Sequence, residues 1–272
     1  MAIRERSIDA DGRRMAWLEA GAGWPVMLLH AFPMNADMWR PQLGAVPSGW
    51  RFIAPDLRGF GQTPFPYGTE AKTPSLDDYA SDVGCLMDAL ELDSAVIGGL
   101  SMGGYVTFAL FRQSPARFAG MILADTRPQA DTPQAREGRR GLREVLQRDG
   151  PSGVAEQMLP KLLSERTHRE RPDVVDHARR IAASNRSRAI DAALVAMMDR
   201  PDSTADLERI SCGTLVIAGD HDAVTPVPDA ASMQQAIPRS SLTIIPDAGH
   251  LSNLEQPEAF SKAVSDFLFA HL

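Results

Sequence analysis

A short apolar run, Ser94-Ala95-Val96-Ile97-Gly98, leads through Gly99-Leu100-Ser101-Met102-Gly103 into a second apolar run, Tyr105-Val106-Thr107-Phe108-Ala109-Leu110-Phe111. The first reads as a buried strand and the second as a buried helix. A serine between them must occupy a sharp turn with strained backbone angles, and glycines two residues to either side relieve the crowding. Gly98 and Gly104 extend this collar of small residues. The hydroxyl is then left protruding at the top of a sheet, where a nucleophile is usable. Gly-x-Ser-x-Gly by itself arises easily by chance; the strand before it and the helix after it make it specific.

The same punctuation organises the rest of the chain. Residues 3–9 and 14–19, divided by Asp11-Gly12, predict a hairpin. Pro25-Val26-Met27-Leu28-Leu29-His30 is continuously apolar up to its last residue, as a strand covered on both faces must be. Further strands are expected over 51–56, 120–125, 214–219 and 241–245. Ser75 followed by Asp77 and Asp78 marks a helix start, running to about residue 90, and a closing helix is expected over 257–270. Alternating buried strands and helices imply an α/β fold, with a mostly parallel sheet sandwiched by helices.

Between Arg127 and Arg209 the rhythm changes, and no strand run occurs. Helices are expected over 134–148, 154–163, 174–185 and 189–198, punctuated by Pro133, Pro151, Pro172 and Pro201. This stretch carries 16 basic and 14 acidic residues, in a chain whose formal net charge is −7. We therefore divide the chain into a core of residues 1–125 and 211–272 and an inserted helical cap of residues 126–210. The cap is expected to form a lid over the edge where Ser101 protrudes. Its arginines read first as solvated helix faces with i,i+4 pairs, and second as a source of one partner for a substrate carboxylate.

Composition excludes several classes. A net charge of −7 argues against nucleic acid or an anionic membrane as partner, since both reward basic surface. Cys85 and Cys212 lie in no metal-like spacing and read as free thiols of a reducing compartment. Met1-Ala2-Ile3-Arg4-Glu5-Arg6 leads into no apolar signal core, and no run approaches a membrane span, so a cytoplasmic protein is expected. No phosphate-binding loop, metal-spaced histidine pair or dinucleotide fingerprint calls for a cofactor. Asp56-Leu57-Arg58-Gly59-Phe60-Gly61 reads as a tight structural turn after a strand.

A serine nucleophile needs a base within hydrogen-bond reach, and the base needs an acid to orient it. His30, His168, His177, His221, His250 and His271 compete. His250 alone lies on a loop after a late strand and C-terminal to plausible acids, so it is the expected base. For the acid, Asp222 in Gly219-Asp220-His221-Asp222 is preferred, then Asp125 at the end of an earlier strand, then Asp220. The developing oxyanion needs backbone N–H donors. Met102, at a helix start, supplies one. Phe32 supplies the other, because Pro33 has no N–H.

These motifs together resemble the alpha/beta-hydrolase superfamily over nearly the whole chain. The resemblance rests on Leu29-His30-Ala31-Phe32-Pro33, the Pro55-to-Gly61 segment, Gly99-Leu100-Ser101-Met102-Gly103-Gly104, Gly219 with Asp222 and Pro226, and Gly249-His250. It implies an eight-stranded sheet with a helical cap, a Ser101–Asp222–His250 triad, and an oxyanion hole from the backbones of Phe32 and Met102. The Met102-Gly103-Gly104 elbow is similar to that of carboxylesterases and 3-oxoadipate enol-lactonases. Ser101 disfavours the haloalkane dehalogenases and epoxide hydrolases, whose elbow carries aspartate. One departure is Ala31, where members usually have glycine; its methyl group bears on the width and angle of the oxyanion loop. The expected activity is hydrolysis of a small carboxylic ester through an acyl-enzyme on Ser101. The alternatives are a lactonase, a carbon–carbon bond hydrolase, and a non-catalytic ligand sensor. No oligomeric state follows from the sequence.

Overall fold

The strand runs become β1 (Arg4–Ala10), β2 (Arg13–Gly21), β3 (Trp24–Leu29), β4 (Trp50–Pro55), β5 (Ala95–Leu100), β6 (Phe118–Ala124), β7 (Gly213–Gly219) and β8 (Ser240–Ile245). The structure is a computed structural model that describes residues 2–66, 68 and 72–271. Met1, the first residue of the N-terminal stretch read above, lies outside them. The strands form one eight-stranded sheet in the order β1-β2-β4-β3-β5-β6-β7-β8. Strand β2 runs antiparallel to both β1 and β4, and every other pairing is parallel. The sheet is thus mostly parallel and has the strand number the resemblance implied.

Strand composition follows position. Every residue of β5 and β7 is buried, and both strands read as unbroken runs of small and apolar side chains, because each has a paired neighbour on either side and helices on both faces. Strand β1, at the edge, is exposed along most of its length and carries charge, which blunts an otherwise adhesive edge.

The helices are α1 (Arg40–Gly44), α2 (Leu76–Ala89), α3 (Met102–Gln113), α4 (Pro133–Leu162), α5 (Glu165–Glu170), α6 (Pro172–Ala183), α7 (Ser187–Met198), α8 (Val227–Ala236), α9 (Ser252–Glu255) and α10 (Pro257–His271). Ser75 caps α2 with a reciprocal box, its hydroxyl accepting from Asp78 N while the Asp78 carboxylate accepts from Ser75 N at 2.9 Å. Two cores result. Met27, Ile53 and Ile97 join the apolar faces of α2, α3, α7 and α8 on one side of the sheet. Val26, Leu28 and Phe52 join α1, α6 and α10 on the other. Consecutive residues of β3 serve opposite cores, as the period of a strand requires.

The segment between β6 and β7 is helical, and it differs from the expected pattern. The helices read over 134–148 and 154–163 are two arms of α4, bent at Gly150 (φ 69, ψ −167). A left-handed glycine followed by Pro151 turns the chain without a separate loop. Sequence reading passes over α1, α5, α8 and α9, of which α1, α5 and α9 carry too few residues to show a periodicity. Asp131 holds the arginine that anchors this segment to the core. Its buried carboxylate pairs with Arg139 at 2.5 Å and with Arg200, whose guanidinium lies 4.1 Å from the Tyr105 ring centroid on α3. Among the described residues no helix is long and apolar enough to cross a membrane.

Parallel pairing sends the carboxyl ends of β3 to β8 to one edge of the sheet. The loops that follow those strands therefore converge there, and they hold the candidate residues.

Candidate active site

Strand β5 ends at Leu100 and delivers Ser101 with φ 55 and ψ −111, a conformation that costs a side-chain-bearing residue roughly 1–3 kcal/mol. The turn is held from three directions. Ser101 N donates to Ala124 O at 3.0 Å, and the Ser101 carbonyl accepts from Gly104 N and from the Thr126 hydroxyl, each at 2.9 Å. The elbow closes so tightly that a Cβ added to Gly99 falls 2.1 Å from the Gly103 carbonyl carbon. Ser101 is only 8% exposed, so the hydroxyl protrudes from the sheet edge but not into open solvent.

The loop after β8 carries His250 to that hydroxyl. His250 Nε2 lies 2.8 Å from Ser101 Oγ, and Nδ1 lies 2.8 Å from Asp222 Oδ2. Asp222, in the loop after β7, also accepts from Val224 N (2.7 Å), Thr225 N (3.0 Å) and the Thr225 hydroxyl (2.6 Å). Burial pushes the Asp222 pKa up, but the His250 charge and these hydrogen bonds outweigh it and hold the carboxyl below its ordinary range. For His250, burial opposes the charge, and the Asp222 carboxylate outweighs it and raises the imidazole above 6.5. An ionised Asp222 assigns the proton to Nδ1, which leaves the Nε2 lone pair facing the serine hydroxyl.

The remaining candidates sit elsewhere. Asp125 accepts from Gly219 N at 2.8 Å and from the Ser252 hydroxyl at 2.5 Å, so it ties β6 to β7 and α9. Burial first, and the Asp222 charge second, push its carboxyl well above the ordinary carboxylate range. Asp220 accepts from Ala248 N and braces the base of the histidine loop. His30 is fully buried, donates from Nδ1 to Ala31 O and accepts Leu57 N at Nε2 (both 3.0 Å), and burial lowers it to about 4. His168 bonds Leu159 O, His177 is half-buried on α6, His221 lies beside Asp220, and His271 ends α10. The glycine-rich turn after β4 is structural: the Asp56 carboxylate accepts from Ala36 N and Gln62 N, each at 2.8 Å.

Phe32 and Met102 are buried, and among the described residues their amide N–H groups have no acceptor. Ala31 adopts no left-handed conformation, so its methyl group sits without backbone strain where glycine is more usual.

Two residues that sequence reasoning passed over hold the loops in place. Buried Glu255 accepts from Gly249 N and from Ser164 N, each at 2.8 Å, and joins the histidine loop to the end of α4. Asn185, between α6 and α7, bonds Pro33 O at 2.8 Å and Gly61 N at 3.1 Å. Their partners lie up to 152 residues away in sequence, and no local pattern signals them. Exchanging Glu255 for glutamine leaves one of the two amides facing an NH2 group. We expect a loss of about 1–3 kcal/mol, read as a lower denaturation midpoint at an unchanged m-value.

A family model described as the alpha/beta hydrolase fold matches residues 25–257. The 3-oxoadipate enol-lactonase 2 of Acinetobacter baylyi is 30% identical over 230 residues, 85% of this chain and 83% of that protein. A thermophilic esterase from Thermogutta terrifontis, solved with malate bound, superposes with a TM-score of 0.92 at 38% identity, covering 99% of this chain and 100% of that one. The enol-lactonase from Burkholderia xenovorans gives a TM-score of 0.87 at 25% identity, with 97% and 100% coverage.

Proposed function

The chain belongs to the alpha/beta-hydrolase family, and from that premise we propose that it cleaves a small carboxylic ester through an acyl-enzyme on Ser101. One observation carries the reading: an unbroken buried relay of two 2.8 Å hydrogen bonds from Asp222 through His250 to Ser101. Ser101 Oγ attacks the ester carbonyl carbon while His250 Nε2 takes its proton. The N–H groups of Phe32 and Met102 hold the oxyanion of the tetrahedral intermediate. His250 then passes the proton to the departing alkoxide, leaving the acyl group on Ser101. A water molecule, deprotonated by His250, attacks the acyl-enzyme and releases the carboxylic acid. Asp222 keeps the Nδ1–H tautomer and stabilises the imidazolium. Residues 126–210 act as the cap, and a Ser101 with so little exposure favours small substrates over bulky ones.

The enol-lactonase relatives support a second substrate for the same machinery. In a lactone the leaving alkoxide stays tethered to the acyl group. A series of p-nitrophenyl esters of increasing acyl length, run beside a five-membered lactone, separates these readings. Short-chain preference is the expected result. A preference for long-chain triglycerides, or no turnover of esters and lactones together with no labelling of Ser101 by a fluorophosphonate, overturns the proposal.

The base must be neutral to act, so kcat/KM falls as pH drops through the His250 pKa. Because Asp222 raises that pKa, the half-maximal point is expected above 6.5, and Asp222→Asn moves it down. A rate that does not change between about pH 5 and 8 removes His250 from the role.

A further inference from the structure

The oxyanion donor at Phe32 sits in a loop whose geometry is dictated from outside it. Two peptide planes matter, and each is rigid. In the plane that joins Ala31 to Phe32, the carbonyl oxygen of Ala31 accepts from Met34 N at 2.8 Å and from His30 Nδ1 at 3.0 Å. The Phe32 N–H belongs to the same plane and points the opposite way. In the plane that joins Pro33 to Met34, the N–H is that same Met34 donor, and the carbonyl oxygen accepts from Asn185 Nδ2 at 2.8 Å. Force on the Pro33 carbonyl is therefore passed through Met34 N and Ala31 O to the direction of the Phe32 N–H.

Asn185 is buried and its amide orientation is unambiguous. Gly61 N only donates, so the atom facing it at 3.1 Å is Oδ1; Pro33 O and Ile181 O only accept, so the atom facing them is Nδ2. Asn35 Nδ2 adds a second donor to Oδ1 at 3.3 Å. The neighbouring Arg186 donates to Gly59 O at 3.0 Å, which fixes the turn between α6 and α7 against the loop after β4. Every polar atom of the Asn185 side chain is thus committed to the loops after β3 and β4 or to its own helix.

We propose that Asn185 is a positioning residue for the oxyanion hole, setting the Phe32 N–H through the Pro33 and Ala31 peptide planes. This rests on the reading of Phe32 as an oxyanion donor. Asn185→Asp is the discriminating change, because it keeps the acceptor for Gly61 N–H and turns the donor to Pro33 O into an oxygen that repels it. Complete loss of an oxyanion donor costs about 10²–10³ in kcat, so its misalignment is expected to lower kcat by about 10–100-fold. KM for a neutral short-chain ester should stay within about twofold, since the ground-state carbonyl makes little use of the hole. Affinity for a trifluoromethyl ketone, which forms the tetrahedral adduct, should fall by the same factor as kcat. Asn185→Ser, neutral and smaller, is the second variant in case the aspartate prevents folding, and the same pattern is expected from it.

All rates are referred to active sites counted by fluorophosphonate labelling, so a merely misfolded fraction cancels. Wild-type kcat and ketone affinity in either folded variant overturn the positioning role while leaving the ester hydrolase reading intact. Equal losses in kcat and in substrate affinity do the same, because they denote a damaged pocket. A wild-type protein that neither turns over esters nor reacts at Ser101 overturns both.

Discussion

Ser101→Ala is expected to lower turnover by about 10⁶-fold while the protein remains folded. The side chain contributes one hydrogen bond, to His250 Nε2, and the strained φ of 55 stays with an alanine. Its removal leaves His250 charged or neutral as before but with nothing to activate. The residual rate, about 10³–10⁴ above water, is the part expected from the proposed oxyanion donors and from substrate binding alone. Steady-state kinetics beside a thermal melt checks both halves of the expectation. An undiminished rate in a folded variant ends the case for an acyl-enzyme on Ser101.

Gly103→Ala should do the reverse and strike the fold before the chemistry. A Cβ at Gly103 falls 2.1 Å from Leu29 O, 2.7 Å from its carbonyl carbon and 3.1 Å from His30 O. These are backbone atoms of β3 and of the loop that carries Phe32, so no rotamer change relieves the clash. The cost is expected to exceed about 4 kcal/mol, against total stabilities of about 5–15 kcal/mol. A melting temperature lower by about 10 °C or more, or insoluble protein, is the expected result. Gly12→Ala supplies the comparison: Gly12 has φ 69 but nothing within 4 Å of the added Cβ, so only backbone strain of about 1–2 kcal/mol applies. Equal losses in the two variants contradict the steric account.

These two residues also mark what a single sequence makes legible. The strand into Ser101, the glycines around it and the helix after it are local, so the elbow is readable from a dozen consecutive residues. The parallel strands are readable because buried strands are continuously apolar. Ser101, His250 and Asp222 can be chosen because loops after parallel strands meet at one edge, and His250 touches both of the others. The acid is less legible. Asp125 and Asp222 both follow buried strands, and only the three-dimensional path of the loop decides that Asp222 reaches His250 while Asp125 turns to Gly219 and Ser252. The bend of α4 at Gly150 was visible only as an interruption between two helices. Glu255 and Asn185 were invisible for a different reason: each is an ordinary polar residue whose meaning lies entirely in distant backbone amides and carbonyls.

The helical segment between β6 and β7 stands on both halves of the site. At one end Leu162 O accepts Leu251 N and Ser164 N meets Glu255, against the histidine loop. At the other, Asn185 and Arg186 meet the loops after β3 and β4. That segment is therefore not an interchangeable module. A chimera that swaps it whole for a relative's, in search of a new specificity, discards the fasteners of the scaffold it is grafted onto. A graft that keeps Thr126, Asp131, Arg139, Arg200 and residues 162–164 and 184–186 leaves those fasteners in place. What varies in that segment is then separated from what fastens it.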